Sequence, residues 1–272
     1  MALASSPMGR DVLTRPAPRA DERIRYGDDP SQLGELRLPP GSGPHPVVVY
    51  LHGGCWMAEY DLAHAGHICA ALTAAGFATW DLEYRRIGNG GGWPATAQDV
   101  ARGADHLRTI AAAYGLDLGR VIAAGHSAGG HLAMWLAARH RLSPDDPSHL
   151  AVPGLLGVAS IAGLVDLARA SALGLCGGAV EALLGGPPAK LPGRYALASP
   201  YELLPLGLPQ ILVSGGRDPI APVELAERYA ARAKERGDAV KTITLDDADH
   251  FDLIDPLSPA FARVREAVLS LI

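Results

Sequence analysis

Cysteine is scarce in this chain, blocks of like charge are absent, and no apolar run is long enough to be read as a membrane span. Cys55, Cys69 and Cys176 are the only thiols among 272 residues. They are too few and too scattered for a disulfide framework, and their odd number leaves at least one unpaired, so a reducing, cytoplasmic setting is expected. The 24 Lys and Arg against 29 Asp and Glu give a formal charge of -5, spread without clusters. Such a surface offers no footprint for phosphate backbones or anionic lipid, which excludes nucleic acid and membranes as expected partners. The first ten residues lack the basic opening and apolar core of a secretory signal. The longest uncharged apolar stretch, Leu150 to Val165, is interrupted by Pro153, Gly154, Gly157 and Gly163 and ends at Asp166, too short and broken to cross a bilayer.

What remains is an ordinary globular composition, 48% hydrophobic and 19% charged. A chain of this length can bury roughly three quarters of its unfolded surface, so disorder is excluded. Residues 1 to about 20 carry no apolar period and read as an arm or strap on the domain. Arg23 to Tyr26 and Glu35 to Leu38 alternate at period two, as antiparallel strands at a sheet edge do. From Pro46 onward, continuous apolar runs (Val47–Leu51, Phe77–Trp80, Val121–Ala124, Leu156–Ile161, Ile211–Val213, Thr242–Leu245) alternate with segments of helical period. Runs apolar on both faces fit strands covered by helices on both sides. The fold class is therefore α/β: one doubly wound, mostly parallel sheet over residues 21–272. Residues 164–201, rich in Ala, Leu and Gly, break the rhythm and are expected to form one or two short helices as a cap over the carboxyl edge of the sheet.

Gly125-His126-Ser127-Ala128-Gly129 sits between a buried strand and a helix, the context in which Gly-x-Ser-x-Gly forms a nucleophile elbow. A serine hydroxyl needs a base to take its proton and a carboxylate to hold that base's tautomer. Among the histidines beyond the elbow, His140 ends a helix and His149 lies in a polar loop, whereas His250 follows a strand and an acidic turn. His250 is thus the expected base. Asp218 closes the strand-to-loop segment beginning at Ile211 and is the expected orienter, ahead of Glu224, Asp246 and Asp249; a helix cap is its rival reading.

A tetrahedral intermediate also needs preorganised donors. His52-Gly53-Gly54-Cys55-Trp56 directly follows the first buried strand, so the N–H groups of Gly53 or Gly54, with that of Ala128 at the helix start, are the expected oxyanion hole. Gly88 to Pro94 lacks the Lys-Ser/Thr of a phosphate loop and reads as a mobile loop. His64 and His67 lie three apart without an accompanying Glu or Cys, which points to solvated or packing residues and no metal site. Cys55 has no basic partner in sequence that would make it a rival nucleophile.

On the His-Gly-Gly-x-Trp loop, the Gly-His-Ser-Ala-Gly-Gly elbow and the Asp-Pro and Asp-His-Phe contexts of Asp218 and His250, the chain resembles the α/β-hydrolases of the esterase and lipase group, from about Val47 to the C-terminus. It is similar both to small-ester hydrolases and to arylformamidases. The resemblance implies Ser127 as nucleophile, His250 as general base and then acid, Asp218 as orienter, and no cofactor. Cys55 stands where lipases often carry a third glycine, which leaves open which N–H groups serve the oxyanion. Trp56 is then a candidate wall of the acyl pocket and Phe251 a candidate substrate contact. The expected activity is hydrolysis of small to medium carboxylic esters through an acyl-enzyme. Hydrolysis of N-formyl aryl amides and a non-catalytic ligand receptor on the same scaffold are the alternatives.

Overall fold

Strand and helix alternate along the computed structural model, which describes residues 9–151 and 154–272. Residues 1–8 of the expected arm, and Pro153, lie outside the described residues. In chain order come β1 (Glu22–Arg25), β2 (Leu33–Arg37), β3 (His45–Leu51), α1 (Gly66–Ala74), β4 (Ala78–Leu82), α2 (Ala95–Asp105), α3 (Leu107–Tyr114), β5 (Leu116–His126), α4 (Ala128–Ala137) and β6 (Gly157–Ile161). Between β6 and the next strand lie α5 (Leu167–Ala172), α6 (Ala179–Leu184), α7 (Pro192–Ala198) and α8 (Pro200–Leu203). The chain ends with β7 (Gln210–Gly215), α9 (Val223–Glu235), β8 (Val240–Leu245) and α10 (Phe261–Leu269).

One eight-stranded sheet runs in the order β1-β2-β4-β3-β5-β6-β7-β8. The pairings of β1 with β2 and of β2 with β4 are antiparallel and all others are parallel. This is the α/β-hydrolase architecture expected from the apolar runs. Val47, Val48 and Val49 of β3 are completely buried, each removal of such a side chain from water contributing about 1.5–3 kcal/mol before entropy is counted. The last strand departs from the reading of two buried faces. Lys241, Thr242 and Thr244 of β8 are exposed because β8 closes the sheet at one edge and β7 alone pairs with it.

Residues 164–201 hold four short helices and a 3₁₀ turn rather than one or two helices. Gly174, Gly178 and Gly185, all at positive φ, bound the 3₁₀ turn and α6 and keep these two pieces short. Gly88 to Pro94, read as mobile, is tied down. Gly91 N–H donates to the Arg86 carbonyl, Gly92 N–H to Thr96 Oγ1, and Trp93 N–H to the Leu183 carbonyl.

The feature that positions the chemistry is how closely α4 approaches β3. A Cβ at Gly129 would lie 1.9 Å from the Leu51 carbonyl oxygen and 2.4 Å from that of His52, and one at Gly125 would lie 2.2 Å from the Gly129 oxygen. Only hydrogen fits at either position. With both glycines in place, Ser127 takes the turn between β5 and α4 at φ 55° and ψ -120°, a left-handed geometry costing of order 1–3 kcal/mol that the surrounding packing must hold.

Gly129→Ala is expected to destabilise the protein by at least about 3 kcal/mol, since the colliding atoms are backbone and cannot rotate away. A urea unfolding midpoint indistinguishable from that of the parent chain would show that α4 can simply lift away from β3.

Candidate active site

The elbow and two later loops meet at the carboxyl ends of the central strands. His250, on the loop after β8, and Asp218, on the loop after β7, make a 2.6 Å contact between Nδ1 and Oδ2, with the imidazole N–H donating to the carboxylate. Asp218 is buried, and its other oxygen accepts from the N–H groups of Ile220 and Ala221 at 2.7 and 2.9 Å. The carboxylate therefore holds its own turn as well as the imidazole. The cap of α9 falls at Pro222, so Asp218 is not that helix's N-cap residue. Ser127 and His250 share the wall of one cavity of about 100 Å³. No hydrogen bond joins the Ser127 hydroxyl to His250 Nε2 in this structure, although both line the cavity.

The loop after β3 lies directly against the elbow. A Cβ at Gly53 would come within 3.2 Å of Ser127 Cβ, and Gly54, at φ 112°, has no room for one beside Tyr60. The N–H groups of Gly53 and Gly54 donate to no acceptor among the described residues. The Ala128 N–H opens α4, where no intrahelical partner exists. These uncommitted donors flank the serine.

A buried polar cluster holds the loop from behind. His52 Nδ1 bonds the Gly53 carbonyl at 2.8 Å and its Nε2 bonds Glu83 at 3.1 Å. Tyr84 stacks on the His52 ring and donates its hydroxyl to the His52 carbonyl. Burial alone would raise the Glu83 carboxyl, yet His52, Arg86 and the Tyr84 N–H together hold it below its ordinary value.

Two further residues of the cavity carry no motif. His126, the variable residue of the elbow, donates Nε2–H to the backbone carbonyl of His250 at 3.0 Å and packs its ring 4.4 Å from that imidazole. It thereby links the turn carrying Ser127 to the loop carrying His250. Burial first, then the neighbouring His250 and His64, push His126 well below the ordinary histidine value, so it stays neutral. His64 also lines the cavity, and burial followed by proximity to His52 lowers it to about 3. Of the two readings, solvated or packing, His64 and His67 take the second, since both are buried. His67 bonds the Arg15 carbonyl through Nε2. No group of three or more His, Cys, Asp or Glu among the described residues is placed to hold a metal ion.

Phe251 lines the cavity, edge-on to His250 at 5.2 Å. Trp56 does not: it is completely buried beneath the loop, edge-on to His131, so its reading as a pocket wall is corrected. Cys55 does line the cavity, but as half of a disulfide with Cys176, which lies in the helical segment between β6 and β7. Only Cys69 is a free thiol, and it is buried. Sequence spacing does not reveal the pairing, because 121 positions separate the two residues. The bridge fastens the loop after β3 to the helical segment between β6 and β7.

The profile of one family, described as BD-FAE, matches residues 35–232. The chain belongs to the BD-FAE family. Among curated relatives, this BD-FAE chain is 27% identical over 247 residues to esterase LipC of Mycobacterium tuberculosis, covering 86% of the chain and 60% of the relative. It is 26% identical over 274 residues to a probable isoprenylcysteine alpha-carbonyl methylesterase of Arabidopsis thaliana, covering 94% and 56%. The BD-FAE chain thus spans little more than half the length of these two relatives. Among solved structures, a truncated carbohydrate esterase from gut microbiota superposes with a TM-score of 0.79 at 22% identity, covering 92% of this chain and 94% of that one. Phosphonate-inhibited esterase B of Lactobacillus rhamnosis superposes at 0.79 and 19% identity, covering 96% and 88%. These likenesses show the fold. No helix among the described residues is long and apolar enough to cross a membrane.

Two outcomes are expected. Cys176→Ser should lower stability by about 2–5 kcal/mol through the long loop it opens, and reductant should bring the parent chain's urea midpoint down to the variant's; equal midpoints for parent and variant without reductant would exclude the bridge. His64 and His126, together with His131, which burial lowers to about 4, are neutral when folded but take up protons near 6.5 when unfolded. Protons then favour the unfolded chain, so this stability is present above about pH 6.5 and drains away as pH falls toward 4. His131→Gln should flatten the fall in thermal midpoint between pH 6.5 and 4.5, and an unaltered slope would show that His131 does not titrate on unfolding.

Proposed function

We propose that this protein hydrolyses carboxylic esters with small to medium acyl groups, with Ser127 as nucleophile, His250 as general base and then general acid, and Asp218 as orienter. The observation that carries the reading is the 2.6 Å contact of His250 Nδ1 with buried Asp218, in the cavity that also receives the elbow serine. A carboxylate there fixes the tautomer that leaves Nε2 free to accept a proton. Ser127 Oγ attacks the acyl carbon and its proton passes to His250 Nε2. The carbonyl oxygen becomes an oxyanion facing the N–H groups of Gly53 or Gly54 and of Ala128. Collapse of the intermediate breaks the ester C–O bond, and the leaving alkoxide takes the proton from His250. Water then repeats the sequence on the acyl-enzyme, with His250 again as base, and releases the acid and Ser127.

The names of the two curated relatives and two structural neighbours described above, all esterases, support an ester rather than a formamide. The small cavity supports a small acyl group, since sites for drug-sized ligands run to about 300–1,000 Å³. The residues 164–201 act as a cap in this reading, joined to the oxyanion loop through Cys55–Cys176. The cytoplasmic expectation loses its support from cysteine usage, because two of the three thiols are bridged and such bridges persist in oxidising compartments.

Ser127→Ala should lower kcat on p-nitrophenyl acetate by about four orders of magnitude or more with an unchanged urea midpoint, and His250→Ala should be nearly as damaging, because the members of a triad act as a unit. A fluorophosphonate probe should label the parent chain at Ser127. Absence of labelling, with turnover undetectable, would instead favour a receptor that binds without reaction.

A further inference from the structure

The N-terminal strap reaches the cavity, and no motif marks it. A 3₁₀ turn over Gly9–Leu13 lays Leu13 into the wall of the cavity that holds Ser127 and His250, while the adjacent Val12 is completely buried in the core. The turn packs against the 3₁₀ segment Leu62–Ala65, which brings His64 to the same cavity. Three contacts then fix the strap where it leaves the site. Arg15 makes a forked pair with Asp255 at 2.6 and 3.3 Å, the Arg15 carbonyl accepts from His67 Nε2 at 3.0 Å, and the Pro18 carbonyl accepts from Arg37 at 3.1 Å. Asp255 is buried and belongs to the turn that follows His250, its N–H donating to the Phe251 carbonyl. The strap is therefore keyed to the segment carrying the base.

We propose that Leu13 is a specificity-determining residue that sets the upper size of the ester's carbon chain, as a wall held in place by the Arg15–Asp255 pair. This rests on the hydrolase reading of the site. In a cavity of about 100 Å³ one leucine is a substantial part of the boundary, and each methylene accepted or refused by an apolar pocket changes kcat/KM by about 10- to 200-fold. Leu13 is half-buried in the cavity wall, so trimming it enlarges the site without removing a residue wholly enclosed by the core.

The test measures kcat/KM for p-nitrophenyl acetate, butyrate and octanoate, and for methyl and octyl butyrate, with the parent chain, Leu13→Ala and Leu13→Trp, each checked by urea unfolding. Leu13→Ala should raise the long-to-short ratio in at least one series by about tenfold or more, and Leu13→Trp should lower it in the same series. Turnover by the parent chain with both ratios unmoved in both variants overturns the role of Leu13 and leaves the hydrolase reading standing. No turnover by the parent chain, with no phosphonate labelling of Ser127, overturns both.

Discussion

Two backbone oxygens, those of Leu51 and His52, determine how this site is assembled. Because the first turn of α4 passes within hydrogen-atom distance of them, β3 and β5 deliver their loops to almost the same point. The glycine donors after β3 then stand beside the serine after β5 with no side chain between them. Everything else in the site presupposes that approach: the left-handed serine, the open N–H of Ala128, and the place left for an imidazole from the far edge of the sheet. A methyl group at Gly129 would collide with the Leu51 and His52 carbonyls and force apart the two loops that bring Ser127 beside Gly53.

The supporting residues behind this contact are polar and buried, an arrangement that is costly unless each group is matched. His52 is matched at both ring nitrogens, and Glu83 collects His52, Arg86 and the N–H groups of Leu62 and Tyr84. The loop is thus held by directional bonds. His126 serves a comparable purpose between elbow and base loop, giving one ring N–H to the His250 carbonyl. A neutral imidazole suits the His126 position, because a charge there would lie within the core and beside His250.

Most of the sheet was legible in the chain because burial on both faces writes itself as continuous Val, Ile, Leu and Ala, as in Val47 to Leu51 and Val121 to Ala124. β8 was misread in part, since an edge strand can leave Lys241, Thr242 and Thr244 to solvent. Ser127, Asp218 and His250 were legible as candidates because each lies a few residues beyond the carboxyl end of a strand, and the chain order restricts the choice. Leu13, His64 and His126 were not, since a cavity wall is defined by which elements fold over it and has no local period. Trp56 was misplaced for the same reason: whether an aromatic beside a glycine loop faces substrate or core is decided by His131 on a different element.

The bond between Cys55 and Cys176 turns the chain between them into a closed ring containing the elbow serine and the strands β4, β5 and β6. The exposed Ser143-Pro144-Asp145 segment lies inside that ring. A protease cutting there would leave a single covalent molecule, its two fragments parting only when reductant and denaturant are both supplied. Backbone continuity and molecular integrity are thus separate properties in this protein.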